Sequence, residues 1–233
     1  MPRKTEAREG TRSTIIPLER FLIRRFGGVR TGWRTLVGRH WLQRLDRLAG
    51  YLVQLKETGK MNNKLHVEAP AGEPITIMTR TFDAPRTLVW KVMSEPQHIA
   101  RWWGGPSYTS KVVVAKHDFR EGGEWRFESH GLDGNVYVFL GEFREIVPPE
   151  KVVQTFGMEG MFEGKTIVET LTLDEVDGKT NYKVVSVYDS IEDRDAMVAT
   201  GFEDGARETL DQLEQILREL QQVEQQQPTA NHV

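Results

Sequence analysis

A glutamate stands where alternation calls for an apolar side chain. In the run Ile167-Val168-Glu169-Thr170-Leu171-Thr172-Leu173, a strand period of two puts Glu169 on the face that carries Ile167, Leu171 and Leu173. A carboxyl on such a face is costly to bury unless it is paired or neutralised. Two settings satisfy it. Enclosed, it would hold its proton to higher pH and could orient a ligand hydroxyl or act as a general base. At a bulge or a sheet edge it would turn to water. Ser186 and Tyr188 pose a related question, because they share a face with Tyr182 and Val184 in another period-two run. Glu169 and these tyrosines are the groups on which a reaction, if the chain catalyses one, would rest.

Other chemistry has little to stand on. The chain has no Gly-x-Ser-x-Gly elbow, no phosphate loop, no Gly-x-Gly-x-x-Gly and no His-Glu-x-x-His. Cysteine is absent, which removes thiolate nucleophiles and disulfides and fits a reducing compartment. The histidines at 40, 66, 98, 117, 130 and 232 show no metal-ligand spacing, and His117-Asp118 reads as an exposed turn pair. No metal and no cofactor is expected.

The sequence does supply aromatic and sulfur-bearing bulk. Trp125 and Phe127 share one strand face, and Glu124, Arg126 and Glu128 the other. Tyr137, Phe139 and Phe143 share a face that Gly141 interrupts, which suggests a bend or a close approach under a helix. Phe156, Met158, Met161, Phe162, Met197 and Phe202 would gather near an open end, with Trp102 and Trp103 beside them. Methionine is a pliable liner for varied apolar shapes. Together with Glu169, Ser186, Tyr188 and the small position Gly201, they form the candidate lining of a cavity.

The elements that would position these residues follow from the punctuation. Strands are expected at Ile75–Phe82 and about 108–115, 123–129, 136–146, 152–156, 166–174 and 182–188. Pro85 opens a short helix to Ser94, and Pro96 stops it and starts another to Trp103. One long helix is expected from Glu192 to Gln222, with Val198, Phe202, Ala206, Leu210, Leu213, Leu217 and Leu220 on one side. That side needs a partner, and a curved antiparallel sheet of six to seven strands is the one available. The expected fold is α+β of the helix-grip type over 75–222, preceded by a linker at 61–74 and followed by a polar tail at 223–233.

Charge divides the chain further. Up to Lys60 there are 14 Lys and Arg against 5 Asp and Glu; beyond it there are 17 against 29. Trp33, Val37, Trp41, Leu45, Leu48, Leu52 and Leu55 fall on one stripe of a basic amphipathic helix over about 33–57. Such a helix could lie on an anionic membrane or dock on a partner. Met61-Asn62-Asn63-Lys64 also has the form of a chain start, which would make residues 1–60 an accessory extension or a misassigned beginning. No run of eighteen apolar residues occurs and no recognition motif for nucleic acid accompanies the arginines. A cytoplasmic location is expected, without nucleic acid as a partner.

A resemblance rests on an ordered series. Arg80-Thr81-Phe82-Asp83-Ala84-Pro85, Val89-Trp90, Arg101-Trp102-Trp103-Gly104 and Gly122-Gly123-Glu124-Trp125 are followed by Asp133-Gly134, Gly141-Glu142-Phe143 and Ile146-Val147-Pro148-Pro149-Glu150. The series resembles the bacterial homologues of the activator of the heat-shock-protein-ninety ATPase, within the START-like superfamily that includes polyketide cyclases and Bet v-like proteins. Where that family often reads Gly-Met and then Gly-Trp in its last helix, this chain has Gly201-Phe202 and Gly205-Ala206. The resemblance implies a helix-grip container for a small apolar molecule, a protein partner of the heat-shock ATPase chaperone, or a cyclase or hydrolase that uses Glu169 and the tyrosines on an aromatic or polyketide-like substrate; fold alone does not choose among them.

Overall fold

Eight strands form one open antiparallel sheet in the computed structural model, which describes residues 64–161 and 164–226. The basic helix expected over about 33–57, Phe162, and residues 227–233 of the tail lie outside the described residues. In chain order the elements are β1 (His66–Glu68), β2 (Ile75–Phe82), α1 (Arg86–Ser94), α2 (Pro96–Trp102), β3 (Thr109–His117), β4 (Glu124–Gly131) and β5 (Val136–Val147). After these come β6 (Lys151–Met158), β7 (Ile167–Val176), β8 (Lys179–Val187), α3 (Ile191–Ala199) and α4 (Phe202–Gln226). The strand order across the sheet is β1-β2-β8-β7-β6-β5-β4-β3.

Local chemistry sets the helix boundaries. Pro85, extended and without a donor, precedes α1, and Pro96 occupies the first turn of α2, where a missing N–H costs nothing. The Ser190 side chain caps α3 by accepting from the Asp193 N–H at 3.1 Å. Two short helices and α4 then cover one sheet face. Leu88, Val89 and Val92 of α1, Ile99 and Trp102 of α2, and Leu210, Leu213 and Leu217 of α4 join Phe82, Leu173, Tyr182 and Val184 of the sheet in one core.

Three differences from the sequence-based expectation bear on the site. First, the stretch expected to be a linker contributes β1, and Leu65 is buried in the core beside it. Three residues pairing with β2 are too few to show an alternation. Second, the single long helix is two. Gly201 adopts φ +73° after Thr200, and this left-handed residue ends α3 before α4 begins. The break rotates α3 away from the stripe, so Val198, expected on the buried side, is exposed. Third, α4 runs on to Gln226, past the expected end, because glutamine and glutamate are good helix formers.

Gly141 does mark a close approach, but to its own sheet rather than to a helix. A Cβ there would lie 2.0 Å from the Thr155 carbonyl oxygen on β6 and 2.6 Å from Trp125 Nε1 on β4. Trp125 pairs with Gly141 across the strands and lays its indole over it. A Gly141→Ala variant is therefore expected to lose about 1–3 kcal/mol of stability by overpacking. Urea unfolding checks this, and a midpoint equal to that of the parent chain would refute it.

Candidate functional site

A cavity of about 500 Å³ lies between the sheet face and the helices. It exists because α4 is held closely at one end only. Toward its carboxy terminus, Leu213 and Leu217 are buried against the core, whereas Phe202, Gly205, Ala206 and Leu210 line the cavity wall. Small side chains at 205 and 206 leave the space open, and nothing lies within 4 Å of a Cβ placed on Gly205.

One end of the cavity is aromatic. The Trp103 ring sits at the centre of a cluster, 4.9 Å from Phe127, 5.6 Å from Phe139, 5.9 Å from Trp125 and 5.6 Å from Trp102, between centroids. Most of these contacts are edge-to-face, the arrangement favoured by ring quadrupoles. Phe143, Phe156 and Tyr137 continue the lining, and Met158, Met161 and Met197 stand in the same wall. Trp102 is fixed by its Nε1–H, which donates to the Val92 carbonyl at 2.9 Å. Lys165 in the β6–β7 connection is ion-paired with Asp193 of α3, which ties the rim together.

The polar side of the cavity is a cross-strand row. Gln154 of β6 pairs with Glu169 of β7, and Glu169 with Ser186 of β8. The Glu169 carboxyl accepts from Gln154 Nε2 at 3.2 Å and from Ser186 Oγ at 3.1 Å. Burial pushes its pKa above the usual carboxylate range, against the smaller opposing effect of those two hydrogen bonds. Thr76 pairs with Ser186 from β2, and its hydroxyl meets the Tyr188 hydroxyl at 3.2 Å. Burial raises the Tyr188 phenol to about 12. Tyr182 is raised as well, first by burial and then by the nearby Glu169 charge.

The sign of the Glu169 shift yields a stability prediction. A carboxyl that binds its proton more tightly in the folded state contributes fully below its unfolded value of 4.5, and that contribution is lost as pH rises through the folded value. Glu169→Gln removes the ionisation and keeps the hydrogen-bonding shape. The variant is expected to gain stability relative to the parent as pH rises from about 4 toward about 8, through the range in which a raised carboxyl titrates. Melting curves of both proteins across that range test it; a constant difference would refute it.

The candidate residues thus fall into clear groups. Trp102, Trp103, Trp125, Phe127, Tyr137, Phe139, Phe143, Phe156, Met158, Met197, Phe202, Glu169, Ser186 and Tyr188 all line the cavity. Gly201 does not: it is exposed and serves the break between α3 and α4. Glu169 is turned to the cavity rather than to water, since β7 lies inside the sheet between β6 and β8.

His117 is the main correction. Expected in an exposed turn, it is the last residue of β3, lines the cavity, and stacks on Phe119 at 5.3 Å. Its Nε2 lies 2.8 Å from the Ser94 carbonyl oxygen, which can only accept, so that nitrogen carries the proton. Burial lowers its pKa, which keeps the ring neutral. A register shift between Val114 and Lys116 hides this position from strand parity: Val114 pairs with Phe127 and His117 with Trp125, so residues three apart share a face. Gln154 had a visible signal, a polar residue alternating with Val152 and Phe156. Among the described residues no group of three His, Asp or Glu side chains could hold a metal ion. No described helix is long and apolar enough to cross a membrane.

Solved structures share this architecture. A protein from Mycobacterium smegmatis superposes with a TM-score of 0.60 at 24% identity, over 72% of this chain and 98% of its own. A protein from Arthrobacter aurescens gives 0.60 at 25% identity, over 66% and 91%. One from Rhodobacter sphaeroides gives 0.60 at 20% identity, over 66% and 98%. No curated protein matches the chain. The sheet and its long terminal helix are those of the α+β helix-grip, START-like fold. Residues 83–218, more than half of the sequence, match a family model as well, and the chain belongs to the family described as activator of Hsp90 ATPase homolog 1-like protein.

Proposed function

We propose that the domain binds a small, largely apolar molecule in the cavity between the sheet and α4. The observation that carries this reading is an internal space of about 500 Å³ with aromatic and methionine walls and a few convergent polar groups. Spaces of this size and lining characterise small-molecule sites. Burying apolar ligand surface there gains roughly 25 cal/mol per Å² before the costs of association. A ligand that binds only the folded state raises apparent stability, by about 2.7 kcal/mol at a hundredfold excess over Kd. A thermal-shift panel of lipids, flavonoids and polyketides, with extraction of protein purified from its native source, tests the reading. At least one compound is expected to raise the melting temperature in a dose-dependent way. No shift with any compound and no extracted molecule would refute it.

A second reading is favoured by the family description alone: a protein contact with the heat-shock ATPase chaperone. Pull-down and ATPase measurements with that chaperone discriminate the two. Chaperone stimulation that survives blocking of the cavity would place the activity on the outer surface.

A further inference from the structure

The cavity's polar equipment is specific enough to say what kind of apolar molecule it suits. We propose that it selects a neutral molecule bearing a ketone or hydroxyl oxygen, seated against the Glu169 carboxyl, and disfavours carboxylates of the same shape. This rests on the reading of the cavity as a ligand site and adds a chemical class to it.

The argument starts from what Glu169 already has. Ser186 Oγ and Gln154 Nε2 each donate to one of its oxygens, which fixes the carboxyl in the plane of the cross-strand row. Ser186 is only 3% exposed, so the row is held inside the wall. In its protonated form the carboxyl adds an O–H beside the Ser186 hydroxyl, and the one hydrogen bond between them uses only one of the two protons, which leaves the carboxyl O–H to place while Ser186 donates. Among the described residues no acceptor is bonded to it, and the surface it retains faces the cavity. A second group lies farther along the same face: Tyr182, paired with Leu173 as Ser186 is with Glu169, is 6% exposed and lines the cavity, and its hydroxyl makes no hydrogen bond among the described residues. Two donors in an apolar wall call for an acceptor oxygen in the guest.

Charge decides the rest. The titratable groups facing Glu169 are Tyr182 and Tyr188 on β8; farther along the wall are His117 on β3 and Lys165 at the rim. The tyrosines are held neutral by burial, the imidazole is neutral, and Lys165 is already paired with Asp193. The α4 wall presents Phe202, Ala206 and Leu210, none of them charged. Among the described residues no free cation in the cavity wall awaits an anion, so a carboxylate guest would give up its hydration for the O–H donors alone, and at alkaline pH the ionised Glu169 would repel it. Burial of Glu169 itself favours the protonated form that can donate.

Displacement of the neutral fluorophore N-phenyl-1-naphthylamine from the full chain by biphenyl, 4-acetylbiphenyl and biphenyl-4-carboxylate separates the claims. The ketone is expected to bind about five- to tenfold tighter than the hydrocarbon, the gain of one buried neutral hydrogen bond. The carboxylate should bind more weakly than biphenyl at slightly alkaline pH. Glu169→Leu should abolish the ketone's advantage while biphenyl binding persists, whereas Glu169→Gln, with an amide N–H still to donate, should keep it. In the parent chain the advantage should shrink as pH rises and Glu169 ionises; in Glu169→Gln it should not. Equal binding of ketone and hydrocarbon, or an undiminished advantage in Glu169→Leu, would overturn the assignment and leave the cavity reading standing. Failure of the fluorophore and of biphenyl alike to bind would remove both.

Discussion

Replacing Arg80 by alanine is expected to cost roughly 3–5 kcal/mol of folding stability, the penalty of stranding one member of a buried ion pair. Arg80 lies on β2, on the face toward α4, and its side chain is 2% exposed. Its guanidinium is ion-paired with Glu214 and, at 2.7 Å, with Asp211, one turn earlier on the helix. Its Cζ stands 5.3 Å from the Phe82 ring centre. These contacts fix the middle of α4 on the sheet, next to Leu213 and Leu217, where the helix packs closely. Without Arg80, Glu214 keeps only the largely exposed Arg218, at 2.5 Å, and its side chain remains nearly buried. For a domain of this size, 1 kcal/mol moves the melting temperature by about 2–4 °C, so a fall of roughly 6–20 °C is expected. The double variant Arg80→Met with Glu214→Leu should recover most of that loss, because an apolar pair of similar volume has no charge to desolvate. Chemical denaturation of the two single variants and the double one checks this. An Arg80→Ala chain within about 1 kcal/mol of the parent would contradict the anchoring role, since effects of that size are common for ordinary substitutions.

Filling the cavity at Gly205 should have the opposite effect on stability and a larger one on binding. Gly205 lies within α4, its backbone is helical, and a side chain there would enter open space along the cavity wall. Leucine is favoured over glycine in a helix interior by about 0.6–0.9 kcal/mol, and burying its side chain adds to that gain. A Gly205→Leu chain is therefore expected to melt higher than the parent while occupying the space a ligand needs. Under the proposed function its affinity for apolar ligands should fall at least about tenfold, the equivalent of 1.4 kcal/mol. Calorimetry and fluorophore titration on one preparation give both numbers. Unaltered binding in a stabilised variant would show that ligands do not use this space. Loss of binding together with loss of stability would instead mean that α4 had been displaced.

The periodicities carried most of the architecture. Val89, Val92, Leu210, Leu213 and Leu217 fall on helical stripes, and the alternations in β4 and β7 name the buried sheet face, because burial on one side of a regular element must repeat with that element's period. The aromatic and methionine lining was legible for the same reason, as was the anomalous position of Glu169. What a linear pattern could not carry were the places where the period itself breaks. The register shift after Val114 brings His117 onto the cavity face, and the left-handed turn at Gly201 divides the terminal helix, taking Val198 and Gly201 out of the buried set. The three-residue β1 is too short to have a period at all. Whether Glu169 meets water or a cavity was also beyond its own strand, since the answer depends on β6 and β8 flanking it and on the distance at which α4 is held. Sequence alone determined which side chains share a face; the tertiary structure decided where two faces fail to meet, because a void is a property of elements packed against one another and of no single element.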